Sequence, residues 1–191
     1  DRLSQVVLPD NSAWQLAGID VLASFDIGYV SNPVCESKGV LQVWDVVGTM
    51  THPSGAVGSF TLRPTTHGRS FVAQDCRPMP GQAPAVEYYA NGPKYFDTFS
   101  LMNKTITGPG LPNLTWNYDY GVENVDWQAS WSNCTGSCLS TKIVKVTDPK
   151  GDVSRYTFGT RFRTNEGQLL KQETGWNGSS ALRSVTTRYR S

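Results

Sequence analysis

The sequence predicts an all-β chain of antiparallel hairpins, folded as a β-sandwich or an open curled sheet with little or no helix. Three observations carry this. No window of a dozen residues holds apolar side chains at i, i+3, i+4 and i+7 without a Gly or Pro interrupting, although Thr, Ser, Gly, Asn and Val abound. Several segments alternate apolar and polar residues with period two, the mark of a strand with one covered and one wet face. Clusters such as PDNS, HPSG, THGRS, ANGP and TGPGLP punctuate them as turns. Alternation of this kind belongs to antiparallel sheets, because buried parallel strands read as continuous apolar runs.

In chain order, strands are expected at Ser4–Leu8, Asp20–Phe25, Val40–Val47, Val57–Arg63, Ser70–Gln74, Val86–Tyr89 and Tyr95–Ile106. The clearest alternation follows. In LTWNYDY, Leu114, Trp116, Tyr118 and Tyr120 share one face; in DWQASWS, Trp127, Ala129 and Trp131 do; in SRYTFGTRFR, Tyr156, Phe158, Thr160 and Phe162 do. Between Ser70–Gln74 and Val86–Tyr89 lies RPMPGQAP, where three prolines and a glycine disfavour a regular strand or helix. The chain divides there into an N-terminal β subdomain, residues 1–76, and a C-terminal one, residues 85–191. A single continuous β domain is the other arrangement that 191 residues allow.

One turn is legible residue by residue. Asp148-Pro149-Lys150-Gly151 fits a type I turn: Asp at the first position accepts backbone hydrogen bonds, Pro at the second pre-sets φ, and Gly at the fourth tolerates positive φ. With STKIVKVT before it and DVSRYTFGTRF after it, the unit reads as a hairpin pairing Ser140–Thr147 with Asp152–Arg163.

Composition excludes several function classes. Charged residues are 17% of the chain, against ~25% in an average domain. The net charge of +1 gives no electrostatic case for nucleic acid or an anionic membrane. No apolar run approaches the ~18–20 residues of a membrane-spanning helix. The opening DRLSQ carries neither Met nor a basic and hydrophobic leader, so the chain reads as an excised piece of something longer.

Cys35, Cys76, Cys134 and Cys138 permit three disulfide pairings. The short loop in SNCTGSCL favours Cys134–Cys138, which leaves Cys35–Cys76; that longer loop would contribute about 4 kcal/mol in the chain-entropy account. Disulfides would imply an oxidising compartment and secretion. The competing readings are buried free thiols and a zinc site, for which only His52 and His67 are at hand and no C-x2-C knuckle exists. Sequons at Asn103, Asn113, Asn133 and Asn177 matter only in a eukaryotic secretory pathway.

Chemistry is sparse. His52 in THPSG and His67 in THGRS flank the Val57–Arg63 strand and would, with Asp45 or Asp75, make an acid–base pair if they met across it. Their Thr-, Ser- and Gly-rich surroundings are also ordinary turn residues. Asp119, Glu123, Asp126 and Glu87 lie among aromatics, as the paired acids of a glycosidase would, though acids on a wet strand face are usually just solvated. No phosphate loop or nucleophile elbow is present. Trp116, Tyr118, Tyr120, Trp127 and Trp131 have the spacing a covered face demands. Trp14, Trp44 and Trp176 sit in less regular settings and are the candidates for stacking on a glycan. No residue is assigned a catalytic, metal-binding or cofactor role.

Val146-Thr147-Asp148-Pro149-x-Gly151, then Tyr156-x-Phe158, then Gly167-x-Leu169, resembles a unit of the Rhs/YD-repeat family of large bacterial surface and secreted proteins, including wall-associated ones. Family repeats read V-T-D-P-x-G, Y-x-Y-D and G-R-L. Here Gly159 replaces the Asp, Gln168 the Arg, and GTRFRTNE lengthens the interval before Gly167. The match covers about residues 145–175, with echoes in YDYG and SVTTRYR, and the run from Tyr95 to Gly175 is similar to the region ahead of the repeats in wall-associated members. The resemblance implies a non-enzymatic structural module of a secreted or cell-surface protein of the bacterial envelope. Its partners would be the rest of a larger polypeptide and a toxin domain within a shell of β-hairpins. The alternatives are a carbohydrate- or cell-wall-binding β-sandwich and, last, a hydrolase built on His52 and His67.

Overall fold

The computed structural model describes residues 3–18, 43–72, 76–78, 87–89, 95–121 and 139–190. Every regular element among them is a strand. β1 (Gln5–Val7), β2 (Ala13–Ala17), β3 (Val46–Thr51) and β4 (Val57–Gly68) are followed by β5 (Cys76–Pro78) and β6 (Glu87–Tyr89). Then come β7 (Tyr95–Gly108), β8 (Leu111–Asp119), β9 (Thr141–Thr147), β10 (Val153–Gly159), β11 (Leu169–Trp176) and β12 (Ala181–Thr186). Ten of them form one antiparallel sheet in the order β1-β2-β3-β4-β7-β8-β9-β10-β11-β12, which stays open; β5 and β6 pair separately.

Over the described residues the fold is thus an open sheet, the second of the two expected forms. Several expected boundaries move. Val40–Val47 gives way to β3, which starts at Val46, and β4 runs five residues past Arg63. Within Ser70–Gln74 the described residues hold only an isolated bridge at Ser70. β10 ends at Gly159, so Arg161 forms only an isolated bridge and Phe162 and Arg163 belong to a turn instead of a strand. β2, β5, β11 and β12 were not expected as strands, and β5 takes in Arg77 and Pro78 of the RPMPGQAP stretch read as irregular. Asp20–Phe25, the DWQASWS segment and three of the four cysteines lie outside the described residues, as does the side chain of Cys76.

The anticipated hairpin is present in register, from Val153 opposite Thr147 to Gly159 opposite Thr141. Its turn closes as the residue types dictate. Gly151 N donates to Asp148 O at 3.0 Å and Asp148 N to Asp152 O at 2.9 Å. Asp148 Oδ1 accepts from Lys150 N and Asp152 N, each at 2.9 Å. Gly151 sits at φ 88°, the left-handed conformation that completes a type I turn with a bulge.

Ten of the described strands form this one sheet. Strand positions are mostly half-buried on both faces, and Val72 is the one fully buried hydrophobic side chain among them. Leu182 is 93% exposed and Leu3 70%. The chain's accessible surface is 12213 Å², whereas a compact monomer of 21.0 kDa would expose about 9,000 Å².

A contact outside the strand ladder links distant parts of the sheet. Beyond β4 the chain reaches the β10–β11 connection. There Ser70 N donates to Thr160 O at 2.8 Å and Phe162 N donates to Ser70 O at 3.0 Å, a parallel bridge between Ser70 and Arg161. Ser70 and Thr160 hydroxyls meet at 2.8 Å, both buried. β4 and β10 are separated in the sheet by β7, β8 and β9, so this bridge draws non-neighbouring strands together at one end.

Candidate functional site

That end carries a cavity of about 730 Å³. Antiparallel order brings there the last residues of β4, the first of β7 and β9, the last of β10 and Tyr120 just past β8. The β10–β11 connection forms one wall. It folds tightly, Gly159 N donating to Gln168 O at 2.9 Å and Gly167 N to Gly159 O at 3.0 Å. A Cβ at Gly159 would lie 2.3 Å from Asn165 O, which accounts for glycine at this position.

His67 is central to the polar part. Its Nε2 lies 3.0 Å from Ser100 Oγ, and its Nδ1 lies 3.2 Å from Lys142 Nζ. An ammonium only donates, so Nδ1 accepts from Lys142 and Nε2 carries the proton toward Ser100. A serine nucleophile needs the reverse, an unprotonated Nε2 to take its proton. The trio therefore has neither the acid of a Ser-His-Asp triad nor its proton arrangement. The ring of Phe96 stacks on His67 at 5.4 Å, and Tyr120 meets His67 edge-on at 5.8 Å. Arg69 Nε holds Glu166 Oε1 at 2.6 Å while its guanidinium covers the Phe96 ring at 4.5 Å. Burial pushes the Tyr120 phenol above its ordinary pKa, with the Leu101 backbone hydrogen bond pulling the other way.

The sequence-predicted residues are dispersed. His52 lies at the β3–β4 turn, Nδ1 accepting from Ser54 N at 3.0 Å and paired with Ser54 Oγ at 2.7 Å, its ring against the edge of Trp14 at 4.6 Å. His67 lies at the far end of β4, about 30 Å away at a strand's rise, so the two histidines do not meet. Asp45 is taken by Arg63 at 2.6 Å, a hydrogen bond that holds its carboxyl below the usual range. Asp119 is exposed, caps Gly121 N at 2.8 Å and faces Lys145 at 3.4 Å. Asp75, Glu123, Asp126 and the Glu87 side chain fall outside the described residues.

Each glycan candidate is half-buried and has a ring neighbour. The Arg155 guanidinium lies 3.8 Å from the Trp176 ring centre, Trp44 meets Phe99 at 6.1 Å, and Trp14 meets His52. Among the described residues no group of three or more His, Cys, Asp or Glu is placed to hold a metal ion, and no helix is long and apolar enough to cross a membrane. Sequence reasoning singled out His67 but missed Ser100, Lys142, Phe96, Arg69 and Glu166, which no local spacing marks. No protein-family model, curated protein or solved structure matches the chain.

Proposed function

We propose that the chain is a non-enzymatic structural module of a large bacterial secreted or cell-surface protein of the Rhs/YD-repeat kind, a stretch of wall in a toxin-delivery shell at or ahead of the repeat array. The observation that supports this reading is the open meander of ten antiparallel strands, whose outer strands β1 and β12 each have one edge unpaired among the described residues. A domain that works alone covers its sheet with a second layer. A wall needs neither a second layer nor closed edges, because neighbouring hairpins continue the sheet and the enclosed chain covers its inner face. The D-P-K-G turn recurs in the family as the device that reverses each hairpin, and here it joins β9 to β10.

Hydrogen exchange on residues 1–191 and on a longer natural polypeptide tests the proposal. The Ala181–Thr186 amides that face away from β11 are expected to exchange fast in the short chain and at least about tenfold more slowly in the long one, as a further strand pairs with β12. Equal rates in both would remove the wall reading.

A further inference from the structure

We propose that the cavity at the bridged end of the sheet binds a small aromatic carboxylate. Its volume of about 730 Å³ lies within the range of small-molecule sites. The walls are mainly apolar and aromatic, from Phe96, Tyr120, Val144, Phe158 and Phe162, and so suit a flat ring. Of the charged lining residues two are cationic, Lys142 and Arg163, and the acid, Glu166, is engaged by Arg69 at 2.6 Å. Lys142 Nζ lies 3.2 Å from His67 Nδ1, so two cation-bearing side chains edge an otherwise aromatic space.

Arg163 supplies an independent pointer. It is exposed and holds φ 55°, a left-handed conformation that bulky residues rarely adopt. Nothing in the turn itself calls for arginine there, and glycine would sit without strain. Its guanidinium lies 5.1 Å from the Phe162 ring, which keeps a cation at the cavity wall. Backbone strain retained at a pocket is a feature of binding sites.

The test is titration of the 191-residue chain with indole-3-acetate, its neutral isostere indole-3-ethanol, and D-glucuronate, followed by calorimetry and amide chemical shifts. Indole-3-acetate is expected to bind at least about tenfold more tightly than the other two, with shifts at His67, Phe96 and Phe162. Lys142→Gln is expected to weaken it by about ten- to a hundredfold. Arg163→Gly separates function from folding: it should raise the thermal midpoint by relieving φ and still lower affinity. The proposal is overturned if indole-3-acetate does not bind at millimolar concentration, if D-glucuronate binds as well or better, or if both variants retain full affinity while folded.

Discussion

Asp148 shows how much one side chain can fix. Its Oδ1 accepts two backbone N–H groups across the β9–β10 turn, and Gly151 provides the positive φ that lets the chain re-enter the ladder. Asp148→Ala leaves both donors to water and is expected to cost about 1–2 kcal/mol in urea unfolding, with Asp148→Asn recovering most of it. A second residue-scale consequence concerns pH. Burial raises the Tyr118 phenol above its ordinary pKa, with Tyr156 adding to the shift, and burial also raises Tyr120. A group with a raised folded-state pKa contributes its full stability below the unfolded value, here about 10, and loses it as pH climbs through the folded value. The chain should therefore hold its stability up to about pH 10 and weaken above it. Tyr118→Phe, which has no phenol to ionise, should shift the alkaline unfolding midpoint upward; an unchanged midpoint would mean that the phenol is not desolvated.

At the scale of elements, the β10–β11 connection matters most. The GTRFRTNE stretch is the segment that bridges to Ser70 and walls the cavity. Ser70→Ala is expected to cost about 1–3 kcal/mol, because it removes a buried hydroxyl–hydroxyl contact with Thr160. Thr160→Val should cost a similar amount. The double variant, in which neither hydroxyl remains, should fall short of the sum by about 0.5–3 kcal/mol; strict additivity would show that the contact carries no coupling. This bridge also shows where sequence reading ends. The β9–β10 hairpin was legible because its signal is contiguous: Asp148, Pro149 and Gly151 each dictate a dihedral or a hydrogen bond. β11 was not, since LLKQETGW lacks strict alternation, and β12 follows it through an Asn177–Ser180 turn with no Pro. The cavity was not legible either. His67 meets Ser100 and Lys142 across separations of 33 and 75 residues, and only the sheet order brings them together.

At the scale of the whole molecule the controlling fact is how little apolar side-chain surface the described strands bury. Period-two alternation correctly indicated antiparallel strands, but it does not say what covers the apolar face, and a sandwich and a single sheet write the same pattern. The distinction is thermodynamic. Burial of apolar surface sets the heat capacity of unfolding, and an ordinary domain of 191 residues would give about 2.3–2.9 kcal/mol/K. Here Val72 is the one fully buried hydrophobic side chain among the described residues, and Val6, Val47, Leu111, Leu182 and Val185 along the strands are exposed. Unfolding therefore uncovers less new apolar surface, and calorimetry is expected to return a heat-capacity change clearly below that range, with a correspondingly shallow denaturant slope. Covering the face would restore both. If the chain is a segment of wall, the longer natural polypeptide should show a larger heat-capacity change per residue than residues 1–191 alone. A short chain that already unfolds with the full value has its apolar face covered from within, and then a partner layer is not needed to explain its strands.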